Sequence, residues 1–186
     1  ENGLLKASGC NLKGSVIDFA QSPDLGPVLS VLASVTEGDT KFINAQRLRI
    51  KECDRITCMR IELEKLGAIV SETESEMYFT GVKEFMGSLD LDCHNDHRVA
   101  MSLAVASTVC RGNLLLHGAE CVKKSYPHFW KDFKKFFSDI GDDIGEIWDS
   151  ICDFIKVPHF SIEGEFSLSK MTVPHLAVDW YANGGI

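Results

Sequence analysis

Seven cations, Arg47, Arg49, Lys51, Arg55, Arg98, Lys123 and Lys124, fall at the ends of apolar segments rather than along an exposed helical face. That placement suits an anion pocket. Arg pairs flat and bidentate with carboxylate or phosphate, Lys adds a point charge, and nearby helix N-termini present free N–H groups. Three carboxylates accompany them: Asp24, Asp96 and Glu52 each stand where a helix is expected to begin. An Asp there caps the helix, contributing about 1 kcal/mol. Among cations it also stays ionised, which suits orienting or deprotonating a substrate hydroxyl. The competing reading pairs each cation with a neighbouring Asp or Glu on a solvated surface, where such pairs contribute little. Recurrence of the placement after equivalent strands weighs against it.

The elements that must position these groups occur twice. Asp24-Leu-Gly-Pro-Val-Leu-Ser-Val-Leu-Ala-Ser aligns without a gap on Asp96-His-Arg-Val-Ala-Met-Ser-Leu-Ala-Val-Ala. Each copy is expected to enter a buried apolar helix through its Asp, turn at Gly38 or Gly112, and run an apolar strand closing on Ala45 or Ala119. Each then delivers charges, Arg47 to Arg55 in the first and Glu120 to Lys124 in the second. A duplicated fold with polar groups at equivalent corners is a way to build one site from two halves.

Around these units, short β segments are expected at 4–7 and 14–18. The helix opened by Pro23-Asp24 carries Val28, Leu29, Val31, Leu32 and Val35, which leave almost no polar face and predict full burial. A strand follows at 40–44, then an amphipathic helix over 51–66 with Ile56, Met59, Leu63 and Leu66 on one face and Gly67 at its end. A hairpin is expected at 68–72 and 76–80, a strand at 89–92, a buried helix from 96 to about 110, a strand at 113–117 and a helix from 125 to about 137. Helices apolar nearly all round, alternating with half-polar strands, predict an α/β (α+β) fold with helices inside and sheets outside. After Phe137 an acidic, glycine-interrupted stretch continues neither repeat, so a boundary is expected between 1–137 and 138–186. The tail has the pattern of one amphipathic helix over 142–155 and an exposed strand over 157–168.

At 186 residues, with 45% apolar and 25% charged residues, the sequence is that of a globular protein. No apolar run approaches the ~20 residues that span a bilayer, and no basic-then-apolar leader opens it. Starting at Glu1 and closing on Gly184-Gly185-Ile186, it reads as cut at both ends. The net charge of -8 argues against nonspecific nucleic-acid binding. The seven cysteines are odd in number and contain no Cys-x-x-Cys pair, which fits reduced thiols in the cytoplasm. Cys93, His94 and His97 lack a second ligand pair, so no metal site is expected.

Four ordered motifs carry a resemblance: Arg47-Leu-Arg-Ile-Lys-Glu-Cys-Asp-Arg55, Leu63-Glu-Lys-Leu-Gly-Ala68, His94-Asn-Asp-His-Arg-Val-Ala-Met101 and Cys121-Val-Lys-Lys-Ser-Tyr-Pro-His-Phe129. Over residues 1–137 the chain resembles the C-terminal part of the EPSP synthase (3-phosphoshikimate 1-carboxyvinyltransferase) family. The resemblance implies an inverted barrel of repeated βαβαββ units. It also implies transfer of the enolpyruvyl group of phosphoenolpyruvate to the 5-hydroxyl of shikimate 3-phosphate, a shikimate-pathway step toward aromatic amino acids, without metal or organic cofactor. By resemblance, Asp24 holds and helps deprotonate the 5-hydroxyl, and Lys51 contacts the phosphorylated substrate. Arg55, Arg98 and Lys124 bind the phosphoenolpyruvate phosphate and carboxylate. Glu52 takes part in proton transfer at the methylene carbon, with Lys124 as the other candidate. Arg47 stands where some members carry a neutral Asn and is left out of this set.

The same resemblance implies that only about the last third of the enzyme is here and that the missing N-terminal domain is needed for activity. No nucleic acid or membrane partner is expected. The tail, through Val157-Pro-His-Phe-Ser-Ile-Glu-Gly-Glu-Phe-Ser-Leu168 and Val173-Pro-His-Leu-Ala-Val-Asp-Trp-Tyr-Ala-Asn-Gly-Gly-Ile186, resembles the C-terminal part of phage tail tape-measure proteins. The alternative to a partial transferase is thus a non-catalytic scaffold or phage-related structural fragment, and the alternative for the tail is an extension packing as a strand pair.

Overall fold

Short apolar-polar alternations and strongly apolar ten-residue stretches divide the chain into strands and helices much as their periods dictate. The computed structural model describes residues 12–87, 89–112, 114–136, 158–163 and 175–180. The first unit runs β1 (Val16–Asp18), α1 (Gly26–Val35), β2 (Asp39–Ile43), α2 (Arg55–Lys65), β3 (Ile69–Glu72) and β4 (Met77–Thr80). The second runs β5 (Phe85–Met86), β6 (Leu89–Asp92), α3 (His97–Ala106), β7 (Cys110–Arg111), β8 (Leu114–His117), a helix α4 over 129–136, β9 (Pro158–Glu163) and β10 (His175–Trp180). The strands expected at 4–7, the helix at 142–155 and the boundary at 137/138 lie outside the described residues.

The two main sheets share one topology. Strand order is β1-β2-β4-β3 in the first and β6-β8-β10-β9 in the second, with β5 and β7 forming a small parallel pair. β1 runs parallel to β2, as β6 does to β8, each pair joined across a helix. β4 lies antiparallel between β2 and β3, and β10 antiparallel between β8 and β9, registering Ala177 opposite Leu115. The strand pair of the tail therefore takes the place in the second sheet that the β3–β4 hairpin takes in the first.

Backbone geometry repeats too. Gly38 (φ 89°) and Gly112 (φ 103°) turn the chain from helix to strand in the left-handed region, where glycine has no Cβ to clash. Past each strand, Asn44 (φ 56°) and Gly118 (φ 74°) reverse it again into 3-10 turns at Gln46–Ile50 and Ala119–Lys124, which deliver the two charge clusters.

α1, α2 and α3 pack on one another, and one apolar cluster runs through both units from Phe19, Phe42 and Phe79 to Leu103, Leu116 and Val122. Phe42 sits 4.5 Å from Phe19 and 4.7 Å from Phe79 between ring centroids. Small residues let the helices approach. The buried hydroxyls of Ser30, Ser34 and Ser102 donate back to the carbonyls of Gly26, Ser30 and Arg98, so none is left unpaired. The expectation that α1 is buried all round needs correction: Val28 and Leu32 are 38% and 42% exposed, because the neighbouring helices cover only its other side. Among the described residues, no helix is long and apolar enough to cross a membrane.

Candidate active site

The Arg55 guanidinium is only 1% exposed, and every nitrogen on it faces a carboxylate. Nε donates to Asp96 Oδ2 at 2.7 Å, Nη1 to Asp24 Oδ1 at 3.0 Å and Nη2 to Glu52 Oε2 at 2.6 Å. Asp24 in turn receives Arg98 Nη2 at 3.2 Å and faces Lys51 Nζ at 3.3 Å. Asp24, Lys51, Glu52 and Arg55 come from the first unit, Asp96 and Arg98 from the second, so one charged cluster spans both.

Arg55 opens α2. The sequence pattern placed that helix's start at Lys51, but the helix begins four residues later because Asp54 caps it, accepting the Thr57 N–H at 3.1 Å. Lys51 and Glu52 thus lie on the connecting segment, free of helical geometry, and both reach back to the cluster. Arg49 braces the cap from outside, donating to Asp54 Oδ2 and to the carbonyls of Thr73 and Glu74. Arg47 donates to the Ala20 carbonyl.

Asp24 and Asp96, aligned in sequence, differ in structure. Asp96 is the N-cap of α3, fully buried, accepting the Arg98 N–H at 2.8 Å. Asp24 was expected to cap α1 and does not. It lies within a 3-10 turn, Pro23–Leu25; the Gly26 N–H bonds the Pro23 carbonyl, and Pro27 has no N–H to give. Its carboxylate, 48% exposed, is left to the cations. Burial works to raise the Asp24 carboxyl, but the hydrogen bond from Arg55, the Arg98 charge and Lys51 outweigh it and hold the group below its ordinary value. Asp96 is likewise held low: burial opposes its charge, and the Arg55 hydrogen bond and the Arg98 and Val99 N–H groups overcome it.

A family model for EPSP synthase (3-phosphoshikimate 1-carboxyvinyltransferase) matches residues 1–133. The chain belongs to the EPSP synthase family. It is 49% identical over 134 residues to the 3-phosphoshikimate 1-carboxyvinyltransferase of Clostridium beijerinckii, a match covering 72% of this chain and 31% of that protein. Identity to the Clostridioides difficile protein of the same name is also 49% over 134 residues. A solved structure of EPSP synthase from Acinetobacter baumannii superposes with a TM-score of 0.60 at 33% identity, covering 65% of this chain and 29% of that one. The chain thus spans about a third of the length of the curated relatives it matches.

The residues drawn from the EPSP synthase resemblance fall into two groups. Asp24, Lys51, Glu52, Arg55 and Arg98 meet directly in the cluster. Lys124 stands beside it: from the second 3-10 turn its Nζ donates to the carbonyl (2.6 Å) and Oδ1 (2.8 Å) of Asn95, the residue before Asp96. His94 and Asn95 are both left-handed, at φ 49° and 54°, a conformation that costs about 1–2 kcal/mol for a side-chain-bearing residue. The His94 ring, 2.9 Å from the buried Glu62 carboxylate, anchors this turn. His97, which the sequence singles out only as a discounted metal-ligand candidate, has a buried Nδ1 that has no hydrogen-bond partner and lies 3.8 Å from Glu52 Oε1. The signal was present in Asn95-Asp-His-Arg98, but only the fold shows its ring turned toward Glu52. Among the described residues, no group of three or more His, Cys, Asp or Glu is arranged to hold a metal ion.

Proposed function

We propose that this cluster is one wall of an enolpyruvyl transfer site, taking phosphoenolpyruvate and shikimate 3-phosphate and completed by protein beyond this chain. The observation that carries the reading is Asp24: a half-exposed carboxylate held ionised by Arg55, Arg98 and Lys51. Asp24 orients the 5-hydroxyl and accepts its proton as the hydroxyl oxygen bonds to C2 of phosphoenolpyruvate, while a proton reaches the methylene carbon C3. A C3 proton then leaves, the bond from C2 to the phosphate oxygen breaks, and phosphate departs. Glu52 and Lys124 are the groups for the C3 proton, with Arg55 Nη2 holding Glu52 Oε2. Lys51 binds the phosphorylated substrate, and Arg98 and Lys124 receive phosphoenolpyruvate. Arg55, enclosed by three carboxylates, reaches the same anion once Asp24 or Glu52 yields. No metal or organic cofactor enters this scheme.

The architecture in this reading is the inverted barrel of the family, with the enzyme-like part ending near residue 137. The chain alone then has no turnover. The test is phosphate release from the two substrates by the full chain, with and without a separately supplied N-terminal domain of a clostridial relative. Release only with the added domain, abolished by Arg98→Ala, supports the proposal; steady release by the chain alone overturns the need for a partner wall, and none in either case overturns the activity. A second reading, favoured by the pairing of β10 on β8, makes the chain a non-catalytic scaffold whose tail is an extension that completes the second sheet as a strand pair. In that case phosphoenolpyruvate leaves the melting temperature unchanged, whereas convergent cations would give salt-sensitive stabilisation.

A further inference from the structure

A second link between the units lies outside the charged cluster, at a residue the transfer scheme does not use. Glu62, on α2, is 1% exposed, and both of its oxygens are filled. Oε1 accepts from Lys65 Nζ at 3.0 Å and meets His94 Nε2 at 2.9 Å. Oε2 accepts from Lys65 Nζ at 2.8 Å and from the Asp92 N–H at 3.1 Å. A carboxylate only accepts, so His94 Nε2 carries the proton of that contact. Lys65 stands one turn further along the same helix and supplies the compensating charge. The two donors from the second unit therefore do something else: they tie the end of β6 and the turn after it to α2.

What they hold is a costly piece of backbone. His94 and Asn95 are successive left-handed residues, at φ 49° and 54°, a conformation that side-chain-bearing residues adopt singly rather than in runs. The corner is gripped from two sides. Glu62 takes the His94 ring, while Lys124 Nζ donates to the carbonyl and Oδ1 of Asn95. Local contacts close it, His94 N–H to Asp92 Oδ1 and Asp96 N–H to the Cys93 carbonyl.

We infer that Glu62 is a positioning residue for Lys124. Through His94 it holds the Asn95 corner on which the lysine is seated, so a carboxylate of the first unit sets where the second unit's cation meets phosphoenolpyruvate. The ligand in this assignment comes from the transfer reading; the chain of contacts from Glu62 to Lys124 does not. Without the Glu62 contact the corner relaxes toward ordinary backbone, and Asn95 carries its carbonyl and Oδ1 away. Lys124 then has more side-chain motion to lose when the anion binds, which weakens binding without removing any group that touches the ligand.

The test uses the full chain and two readouts: the Asn95 side-chain amide in proton–nitrogen correlation spectra, and phosphoenolpyruvate affinity by titration calorimetry. Lys124→Gln marks where the amide signal goes when the lysine contact is lost. His94→Ala, which leaves Glu62 with Lys65 and the Asp92 N–H, should move the signal toward that position and weaken phosphoenolpyruvate binding about tenfold. His94→Gln keeps an N–H for Glu62 and should do neither. Lys65→Met is the control for lost stability alone: it should lower the urea midpoint and leave amide and affinity unchanged. The inference is overturned if His94→Ala leaves the amide in place, if the amide moves while affinity holds, or if Lys65→Met moves it as far. If the unsubstituted chain does not bind phosphoenolpyruvate at all, the transfer reading fails, and the amide signal still decides whether Glu62 positions Lys124.

Discussion

Asp24 and Asp96 occupy the same place in the two units, yet one is half exposed and the other fully buried. The second unit follows Asp96 with residues that all carry an N–H, and the carboxylate caps α3. The first follows Asp24 with Leu25-Gly26-Pro27, whose 3-10 turn and proline leave nothing for it to cap. A duplicated scaffold can thus convert a structural carboxylate into a chemically available one by altering the donors beyond it. Arg55 couples the two outcomes, holding Asp96 through Nε and Nη2 and Asp24 through Nη1.

The largest expected effect comes from removing that link. Arg55→Ala leaves the buried Asp96 uncompensated and should cost about 3–5 kcal/mol in urea unfolding. Asp96→Asn and Asp24→Asn should then separate the two units: roughly 1.5–3 kcal/mol for the buried cap, against at most about 1 for the exposed carboxylate. Acid should report the same asymmetry. Both carboxyls are held low in the fold, so their stabilisation is complete above about pH 4 and is lost as pH falls through the folded values. Asp96→Asn should flatten the acid limb of the stability curve more than Asp24→Asn. Equal effects of the two substitutions would show that the entrances are equivalent after all.

The sheets allow a gentler break. Ala177→Pro removes an N–H from β10, which lies between β8 and β9, and should speed amide exchange at Leu114–His117 while leaving β2 protected. Unchanged exchange at β8 would separate the tail pair from the second sheet. The smallest effect expected is at the paired left-handed corners: Gly118→Ala should cost about 1 kcal/mol, and Asn44→Gly no more than a few tenths.

Much of this was legible in the sequence, because it depends on local signals. Strands β1–β4, β6 and β8, the buried face of α2 through Ile56, Met59 and Leu63, and the Gly38 and Gly112 turns follow from periodicity and backbone preference, whereas the short β5 and β7 were not expected and α3 ends at Ala106 rather than near 110. The start of α2 was misplaced because the 51–66 apolar period extends past the cap, although Asp54 and Thr57 carry the capping signal. The role of Asp24 was obscured by its alignment with Asp96: the decisive feature is the missing donor at Pro27, not the carboxylate itself. Contacts between Arg55 and Asp96, 41 residues apart, and between Arg98 and Asp24, 74 apart, leave no local trace. Nor does the docking of β10 on β8, since alternation marks a strand without naming its neighbour.

The claim on which the rest depends is that Arg55 joins the two units through Asp96, and a double-mutant cycle of Arg55→Gln and Asp96→Asn tests it directly. Unfolding free energies of the four proteins should give a coupling of at least about 1.5 kcal/mol, whereas additivity within about 0.5 kcal/mol would contradict a single site built across both units.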